Sequence, residues 1–511
     1  MFKLRYYQEK GVRAAFDSMR LGNHPLAAYP TGSGKTAVLA GITEKAVNKF
    51  NGKVLILSHV KEILEQNYEA LKFHLGGDVG LYSAGLGKRT KADITVAGIQ
   101  SIYKRGREFN QYDLVIIDEC HMIPNSGSGM YRKLFKVMGK TKYMGLTATP
   151  YRLGDGYIYG KGRLFTDLCI DYTTGEKFAK LVDEGWISDI KAIRTQLEFD
   201  TQKIHTRGGD FIETELSSEF DRDGITQAAV KEIVRVGENY KKWLVFAIDI
   251  NHAEHIAEVL IRHGIPSNVV HSKMEQNRDA VIKDYKSGKY RCLVNVGILT
   301  TGFDDPSIDL IGMLRPTQSP VLHVQTIGRG MRKFDGKAHC VVLDFAGNTK
   351  RLGPVNSITV KEKGKGVGGE PITKTCPTCD AIHHPSVRIC KWCNYKFPFK
   401  HGLSGSDGVA VIARKTNWKQ VDKVSYEAHK KPHRPDSLKV LYHCGLDVYS
   451  DYVFLDSRGY GKFKANHWIN FRGGKADSVE EALEEADVYR IPNRIMVDTS
   501  TKYPIISDYS F

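Results

Sequence analysis

The chain reads as an α/β protein: two tandem doubly wound parallel-sheet domains, followed by a small cysteine-held knuckle and an α+β C-terminal domain. Three observations predict this. Short apolar, β-branched runs alternate with helical patterns twice over, from residue 25 to 146 and again from 243 to 343. A glycine turn ending in Gly34-Lys35-Thr36 opens the first series and has no counterpart in the second. Two close cysteine pairs and a basic stretch then follow the second series.

The first series starts with the apolar run Pro25 to Tyr29, which enters Pro30-Thr31-Gly32-Ser33-Gly34-Lys35-Thr36. The segment Gly34 to Phe50 leaves it with Val38, Leu39, Ile42 and Val47 at near-helical spacing. Strand, glycine turn and helix in that order form a cradle for polyphosphate: inward backbone N–H groups and the positive helix end face the anion. In such a loop Lys35 reaches the outer phosphates and Thr36 ligates Mg2+. The general pattern asks for glycine where Tyr29 stands.

Lys53 to Ser58, Asp93 to Ala97, Tyr112 to Ile117 and Lys142 to Leu146 are the next strand-like runs, with Val60 to Phe73 a helix between the first two. Ligands of such sheets sit at the strand C-terminal ends, and the chemistry-bearing residues fall there. Leu114-Val-Ile-Ile117 delivers Asp118-Glu119-Cys120-His121, where Asp118 suits Mg2+ and Glu119 an attacking water. Thr147-Ala-Thr-Pro150 ends another strand, with hydroxyls placed to sense a nucleotide.

In the second series, Trp243 to Ala247, Asn268 to His271, Cys292 to Val296, Ile308 to Met313 and Cys340 to Leu343 read as strands. Thr300-Thr-Gly-Phe-Asp304 and Gln325-Thr-Ile-Gly-Arg-Gly-Met-Arg332 stand out in it. Arg329 and Arg332 are three apart, so on a helix they share a face and reach one phosphate across an interface. Two such domains make a cleft that closes on ATP, opens on hydrolysis and moves a strand bound across both.

Taken in order, these motifs resemble the superfamily-two DExH-box helicases, most closely the RadD-type bacterial and phage DNA repair helicases. The resemblance covers about residues 1 to 350: Leu4-Arg-Tyr-Tyr-Gln8, the Pro30 to Thr36 loop, Ser58 to Glu62, Asp118 to His121, Thr147 to Pro150, Val294 to Asp304 and Gln325 to Arg332. It implies tandem RecA-like domains, with Gln8 on the adenine and Thr31, Gly32, Ser33, Gly34, Lys35 and Thr36 around the phosphates. It further implies Mg2+ on Thr36 and Asp118, Glu119 on the water, and Gly302 and Asp304 meeting the nucleotide. Arg329 and Arg332 would be arginine fingers, and His59, Lys61, Gln100 and Thr300 would touch nucleic acid.

Expected boundaries are 1–175 for the ATP-binding domain, 176–222 for a connection or insert, and 223–352 for the second RecA-like domain. A flexible linker (353–375), a zinc knuckle (376–399) and a basic α+β accessory domain (400–511) follow. Cys376-Pro-Thr-Cys379 and Cys390-Lys-Trp-Cys393 place four thiolates for one tetrahedral Zn2+; ten residues separate the pairs. His383 and His384 are rival ligands. Lys374, Arg388, Lys391, Trp392, Lys396, Phe397 and Phe399 suit either phosphates and stacked bases or packing over the metal. After a polar basic stretch to Pro435, Leu438 to His443 and Tyr452 to Asp456 read as strands. Lys462 to Phe471 and Val479 to Ala486 read as helices, and Arg494 to Val497 and Ile505 to Tyr509 as late strands.

Composition bounds the partners. The 511 residues carry a formal charge of +16, and residues 361–439 hold 16 Lys/Arg against 7 Asp/Glu, which favours a polyanion. No apolar run reaches the roughly 18 to 20 residues of a bilayer span, and the charged start is unlike a signal peptide. A cytoplasmic place is expected, the host cytoplasm if the chain is phage-encoded. The expected function is an ATP-dependent DNA helicase or translocase in replication, recombination or repair. Its partner would be single-stranded or branched DNA, with replication or repair proteins on the C-terminal domain. An RNA helicase and an ATP-gated clamp without strand separation are the alternatives.

Overall fold

The apolar runs become strands because their side chains are buried on both faces. The computed structural model describes residues 3–511 except 126, 128, 140, 275–276, 300–301, 359–373, 384–386, 388, 398–417, 431–434, 446, 457–459 and 499–504. It divides into two units, 1–414 and 415–511.

In the first unit, β1 (Pro25–Ala28), β2 (Val54–Ser58), β3 (Val79–Ser83), β4 (Lys88–Arg89), β5 (Ile94–Gly98), β6 (Leu114–Asp118) and β7 (Lys142–Thr147) join one sheet. A small hairpin of β8 (Tyr151–Arg152) and β9 (Gly156–Tyr157) follows, and β10 (Asp167–Asp171) returns to the sheet edge. The order is β10-β1-β7-β6-β2-β5-β3-β4, parallel except for β4. Period-two alternation sorts the side chains. Ile56 and Ile116 pack with Val38, Leu39 and Leu64 on one face, and Leu57 and Ile117 with Ile99 and Tyr131 on the other.

The second sheet contains β11 (Asp189–Ile193), β14 (Trp243–Phe246), β15 (Ser267–Val270), β16 (Cys292–Asn295), β17 (Leu310–Met313) and β18 (His339–Asp344). Its order is β11-β18-β17-β14-β16-β15, all parallel. A separate hairpin, β12 (Thr206–Arg207) and β13 (Asp210–Phe211), precedes β14. These are two tandem RecA-like sheets, and the apolar layer holding Ile56 and Ile116 also takes in Leu244, Ile311 and Val342 of the second sheet.

Three expectations for the first unit need correction. The stretch 176–222, expected to be a connection or insert, supplies an edge strand of the second sheet, because Asp189–Ile193 pairs along β18. The helix that carries the arginine motif, Pro320–Gly328, ends before both arginines, so Arg329 and Arg332 lie on the turn after it and not on a helical face. Gly330 permits this turn, since a Cβ there would stand 2.4 Å from Cys340 Sγ. The linker expected from 353 does not begin there: Val355 and Asn356 are buried, and Asn356 O accepts from Gly175 N at 3.1 Å.

The second unit is an α+β domain with two three-stranded antiparallel sheets. One is Lys423–His429, Ser437–Cys444 and Asp447–Val453; the other is Trp418–Gln420, Arg494–Asp498 and Ile505–Ser510. Two of these strands, Trp418–Gln420 and Lys423–His429, lie in the stretch expected to be a polar lead-in, because Val421 and Val424 are buried. The helices are Tyr460–Phe471 and Val479–Glu484. Arg472 is 1% exposed; it donates to Tyr442 OH at 3.0 Å and lies 4.3 Å from the Trp468 ring.

Candidate active site

The glycine turn is shaped by what touches it. Gly32 and Gly34 have φ of +86° and +85°, a left-handed region that other residues enter at a cost. A Cβ on Gly34 would stand 2.6 Å from Gln8 Nε2, and one on Gly32 would stand 3.2 Å from Met331 O and from Arg332 Cα. The second domain thus reaches the loop directly. Gly328 repeats this from the other side, its Cβ direction lying 2.7 Å from Thr31. Ser33 Oγ donates to Pro30 O at 2.7 Å, and the 16-residue helix Lys35–Phe50 begins at the loop. Tyr29 is fully buried in place of the pattern's glycine, its hydroxyl donating to Tyr7 O at 3.1 Å.

β6 brings Asp118 to the loop, and Glu119 then turns in a left-handed conformation, φ +48°, an unusual state for a side-chain-bearing residue. The turn points its carboxylate at Lys35, with Nζ 2.6 Å from Oε1. Asp118 accepts from Asn67 Nδ2 and from Glu119 N, both at 2.9 Å. Burial, then the Glu119 charge, pushes the Asp118 carboxyl above its usual range. Burial pulls Glu119 the same way, but the Lys35 ammonium and contacts with His121 outweigh it and hold Glu119 well below the carboxylate range. The two buried carboxylates beside the ammonium form, with the Thr36 hydroxyl, the oxygen donor set a hard cation such as Mg2+ takes.

A cleft of about 370 Å3 lies over this group. The first domain lines it with Thr31, Gly32, Gly34, Lys35, Thr36, Asp118 and Glu119, and the second with Gly302, Asp304, Gln325, Arg329 and Arg332. Arg329 is 5% exposed and donates to Phe303 O. Arg332 donates to the same carbonyl at 2.7 Å and pairs with Asp304 at 3.0 Å. Burial lowers both guanidinium groups, and for Arg329 the neighbouring Arg332 charge is the next cause. Two neighbouring guanidinium groups lining the cleft are placed to receive an anion. Ser188, next to β11, holds the turn through Met331 O at 2.7 Å and Arg332 O at 2.9 Å.

The two domains are also bonded beneath the cleft. His121 Nδ1 lies 2.9 Å from Thr147 Oγ1 and 3.3 Å from Glu119 Oε2, while its Nε2 lies 3.1 Å from Gln325 Nε2. Gln66 donates to Gly302 O, and Arg278 pairs with Glu62 at 3.0 Å. Sequence reading left Asn67, Gln66 and Trp186 without a role. Only the fold brings them in, because none belongs to a short motif.

Gln8, expected on the adenine, is bonded to the phosphate loop. It is 3% exposed, its amide donates to Ser33 O at 3.1 Å and its Oε1 accepts from Arg5 N at 2.9 Å. Arg5 and Trp186 line the cleft, with the Arg5 guanidinium 4.6 Å over the Trp186 ring. Glu184 fixes this wall, accepting from Trp186 Nε1 and Tyr6 OH, each at 2.8 Å.

Of the expected strand contacts, Lys61 and Gln100 are exposed and Gln100 donates to His59 O at 2.9 Å. His59 is turned inward, its Nδ1 3.2 Å from Tyr131 OH, and burial lowers it to about 4. Thr300 lies outside the described residues.

The four cysteines of the knuckle converge. Cys376 Sγ is 3.5 Å from Cys393 Sγ, Cys379 Sγ is 3.7 Å from Cys390 Sγ, and all four lie within 4.8 Å of one another. A tetrahedron with Zn–S bonds of about 2.3 Å has edges of about 3.8 Å, so the set fits Zn2+. The two halves are built alike: Asp380 N bonds Cys376 O at 2.9 Å and Asn394 N bonds Cys390 O at 2.8 Å, both residues with positive φ. His383 Nε2 is 3.2 Å from Cys390 Sγ, and His384, Arg388 and Phe399 lie outside the described residues. Trp392 and Phe397 are half-buried, whereas Lys391 and Lys396 are exposed. Lys391 pairs with Asp189, Trp392 meets His339 at 4.7 Å, and Lys374 lies 4.0 Å over Phe397. Ala381 bridges Ile193, so the knuckle covers the β11 edge.

Residues 1–152 match the family "Type III restriction enzyme, res subunit", and residues 226–334 match "Helicase conserved C-terminal domain". The Saccharomyces cerevisiae protein "Putative ATP-dependent helicase IRC3" is 28% identical over 390 residues, 70% of this chain and 53% of that protein. The match thus spans about half of that relative's length. "DNA 3'-5' translocase XPB2" of Sulfurisphaera tokodaii is 25% identical over 66% of this chain and 80% of its own. The solved structure "ATP-dependent Type ISP restriction-modification enzyme LlaBIII bound to DNA" shares the fold, with a TM-score of 0.50 and 18% identity over 67% of this chain and 27% of that one. With two helicase regions matched in chain order on two parallel sheets, the phosphate loop on the first and the arginine turn on the second, the chain belongs to the superfamily-two helicases.

Proposed function

We propose that the chain is an ATP-dependent DNA translocase or helicase of the RadD type, acting on single-stranded or branched DNA in bacterial or phage replication, recombination or repair. The observation that carries this is the close approach of the two domains at Gly32, against Met331 and Arg332, and at Gly328, against Thr31, where the arginine turn of one meets the phosphate loop of the other. ATP lies with its phosphates on the loop backbone and Lys35, and with its base toward Arg5 and Trp186. Glu119, held ionised by Lys35 and His121, orients the attacking water and takes its proton. Arg329 and Arg332 stabilise charge on the transferred phosphoryl group, and they do so only when the cleft is closed. Thr36 and Asp118 would hold Mg2+, which when bound neutralises phosphate charge. The four knuckle cysteines would hold one Zn2+, which closes a module with almost no core of its own.

Hydrolysis breaks the bond that keeps the domains together through the nucleotide, so each turnover shifts one domain along a strand bound across both. DNA is favoured over RNA because the relatives named for a nucleic acid are named for DNA. The test is ATP hydrolysis with single-stranded DNA, RNA or neither, beside strand displacement on forks, tailed duplexes and RNA hybrids. Stimulation by RNA alone would overturn the DNA reading. DNA-stimulated hydrolysis with no displacement on any substrate would leave a translocase or clamp.

A further inference from the structure

Each half of the knuckle holds one end of β11. At the C-terminal end, Ala381 bridges Ile193 and Arg194 N donates to Asp380 O at 3.1 Å, both contacts coming from the loop that follows the first cysteine pair. At the N-terminal end the residues inside the second pair take over. Lys391 pairs with Asp189, and the Trp392 ring lies 4.7 Å from the His339 ring and 6.0 Å from Lys191 Nζ. His339 opens β18 and stands opposite Asp189 in the sheet. Two converging cysteine loops thus grip an edge strand at both ends.

The N-terminal end is the one that bears on the cleft. Ser188 directly precedes Asp189; its N–H donates to Met331 O at 2.7 Å and its hydroxyl to Arg332 O at 2.9 Å, a carbonyl that also accepts from Lys337 Nζ at 2.7 Å. On the neighbouring strand Cys340 directly follows His339, and its Sγ leaves no room for a Cβ on Gly330. Asp189 and His339, the pair under the knuckle, are therefore each one residue from a contact that shapes the turn carrying Arg329 and Arg332.

We propose that Trp392, assisted by Lys391, is a positioning residue for ATP hydrolysis: it fixes the starts of β11 and β18 and, through Ser188 and Cys340, sets the arginine turn against the phosphate loop. This rests on the arginine roles given above. Neither Trp392 nor Lys391 lines the cleft, so they govern where the arginines stand and not how ATP is held. Lys391 is exposed, and an ion pair open to water contributes little; the ring contact carries most of the bracing.

The test uses the full chain with Trp392→Ala, Trp392→Phe, Ser188→Ala and the double variant Trp392→Ala/Ser188→Ala, each assayed for zinc content, ATP binding and steady-state hydrolysis. A misplacement of about 1 Å costs on the order of a hundredfold in rate. Trp392→Ala should keep its zinc, bind ATP within about twofold of the parent and lose about tenfold or more in kcat. Trp392→Phe retains a ring against His339 and should recover most of that loss. The double variant should fall no more than about twofold below the worse single variant, because both act on one contact. Hydrogen exchange at the Ser188 amide, which is bonded to Met331 O, should quicken in Trp392→Ala. Parent-like kcat in zinc-bearing Trp392→Ala, an ATP affinity that falls as far as kcat, losses that multiply in the double variant, or unchanged exchange at Ser188 overturns the proposal. If Trp392→Ala sheds its zinc, Lys391→Glu at its exposed position carries the test: it sets like charges at Asp189 and should lower kcat at unchanged ATP affinity, and parent-like turnover overturns the proposal. If Arg329→Ala and Arg332→Ala hydrolyse ATP as the parent does, the arginine reading fails instead, and exchange at Ser188 decides by itself whether the knuckle braces the turn.

Discussion

Replacing Gln325 with alanine tests whether the two domains act through His121. The Gln325 Nε2 group is a donor, so His121 Nε2 accepts from it and Nδ1 carries the proton that faces Thr147 Oγ1 and Glu119. His121 is 5% exposed and Gln325 7%, so water does not replace the lost partner. A buried acceptor left unsatisfied costs about 1–3 kcal/mol, and at about 1.4 kcal/mol per tenfold this becomes a roughly 5- to 140-fold fall in kcat. The cost arises only when the second domain is seated, whereas the phosphate loop belongs to the first, so ATP affinity should change by no more than about twofold. Steady-state hydrolysis at saturating ATP and single-stranded DNA, with nucleotide binding measured separately, gives both numbers. His121→Ala should cost as much or more, and the double variant should be no worse than His121→Ala. Two effects that multiply, or an affinity collapse at intact kcat, would refute the coupling.

Lys35→Ala should abolish hydrolysis, while Glu119→Gln should bind ATP and turn it over slowly; normal turnover by either would break the assignment of the loop and the water. Arg329→Ala and Arg332→Ala should lower hydrolysis on the order of a thousandfold with ATP binding nearly intact, which single-turnover kinetics beside equilibrium binding would check. Trp186→Ala should weaken ATP binding more than binding of inorganic triphosphate, measured by competition; equal losses would move the base elsewhere. Burial lowers His252 and His323 to about 4, so the unfolded chain binds more protons between that pH and 6.5. Their stabilising share is complete above pH 6.5 and is lost as pH falls toward 4, so thermal denaturation should come earlier at pH 5 than at pH 7. Purified protein should contain one zinc. A chain ending at 397 should keep it, whereas one ending at 358 should lose it, expose the β11 edge and aggregate more readily on heating, as light scattering would record.

The sheets were legible because parallel strands buried on both faces read as unbroken apolar runs: Leu55-Ile56-Leu57 and Val115-Ile116-Ile117 announce themselves. Strands at the margins did not. Asp189–Ile193 alternates charged with apolar residues, and its membership depends on β18, some 150 residues away. The phosphate loop and the carboxylate pair were visible as compact motifs whose spacing the chemistry dictates. Their partners were not: Asn67 reaches Asp118 across 51 residues, and Trp186 has no motif around it. The arginines were found but misplaced, since a three-residue spacing looks helical until Gly328 and Gly330 bring the chain against Thr31 and Cys340. Gln8 was found through the resemblance, yet its side chain is occupied by the loop backbone.

The missing side chains at positions 32 and 328 work as a gauge. At residue 328 the facing domain comes closer than a methyl group would allow, and at residue 32 it is tight enough that the neighbour must give by a few tenths of an ångström, so a single carbon at either site is a shim between the halves of the molecule. At residue 328 the backbone carries no left-handed strain, and the methyl would change spacing alone. Serial alanine, serine and valine substitutions there would hold the domains apart by graded amounts, turning the distance at which hydrolysis fails into a measurable length.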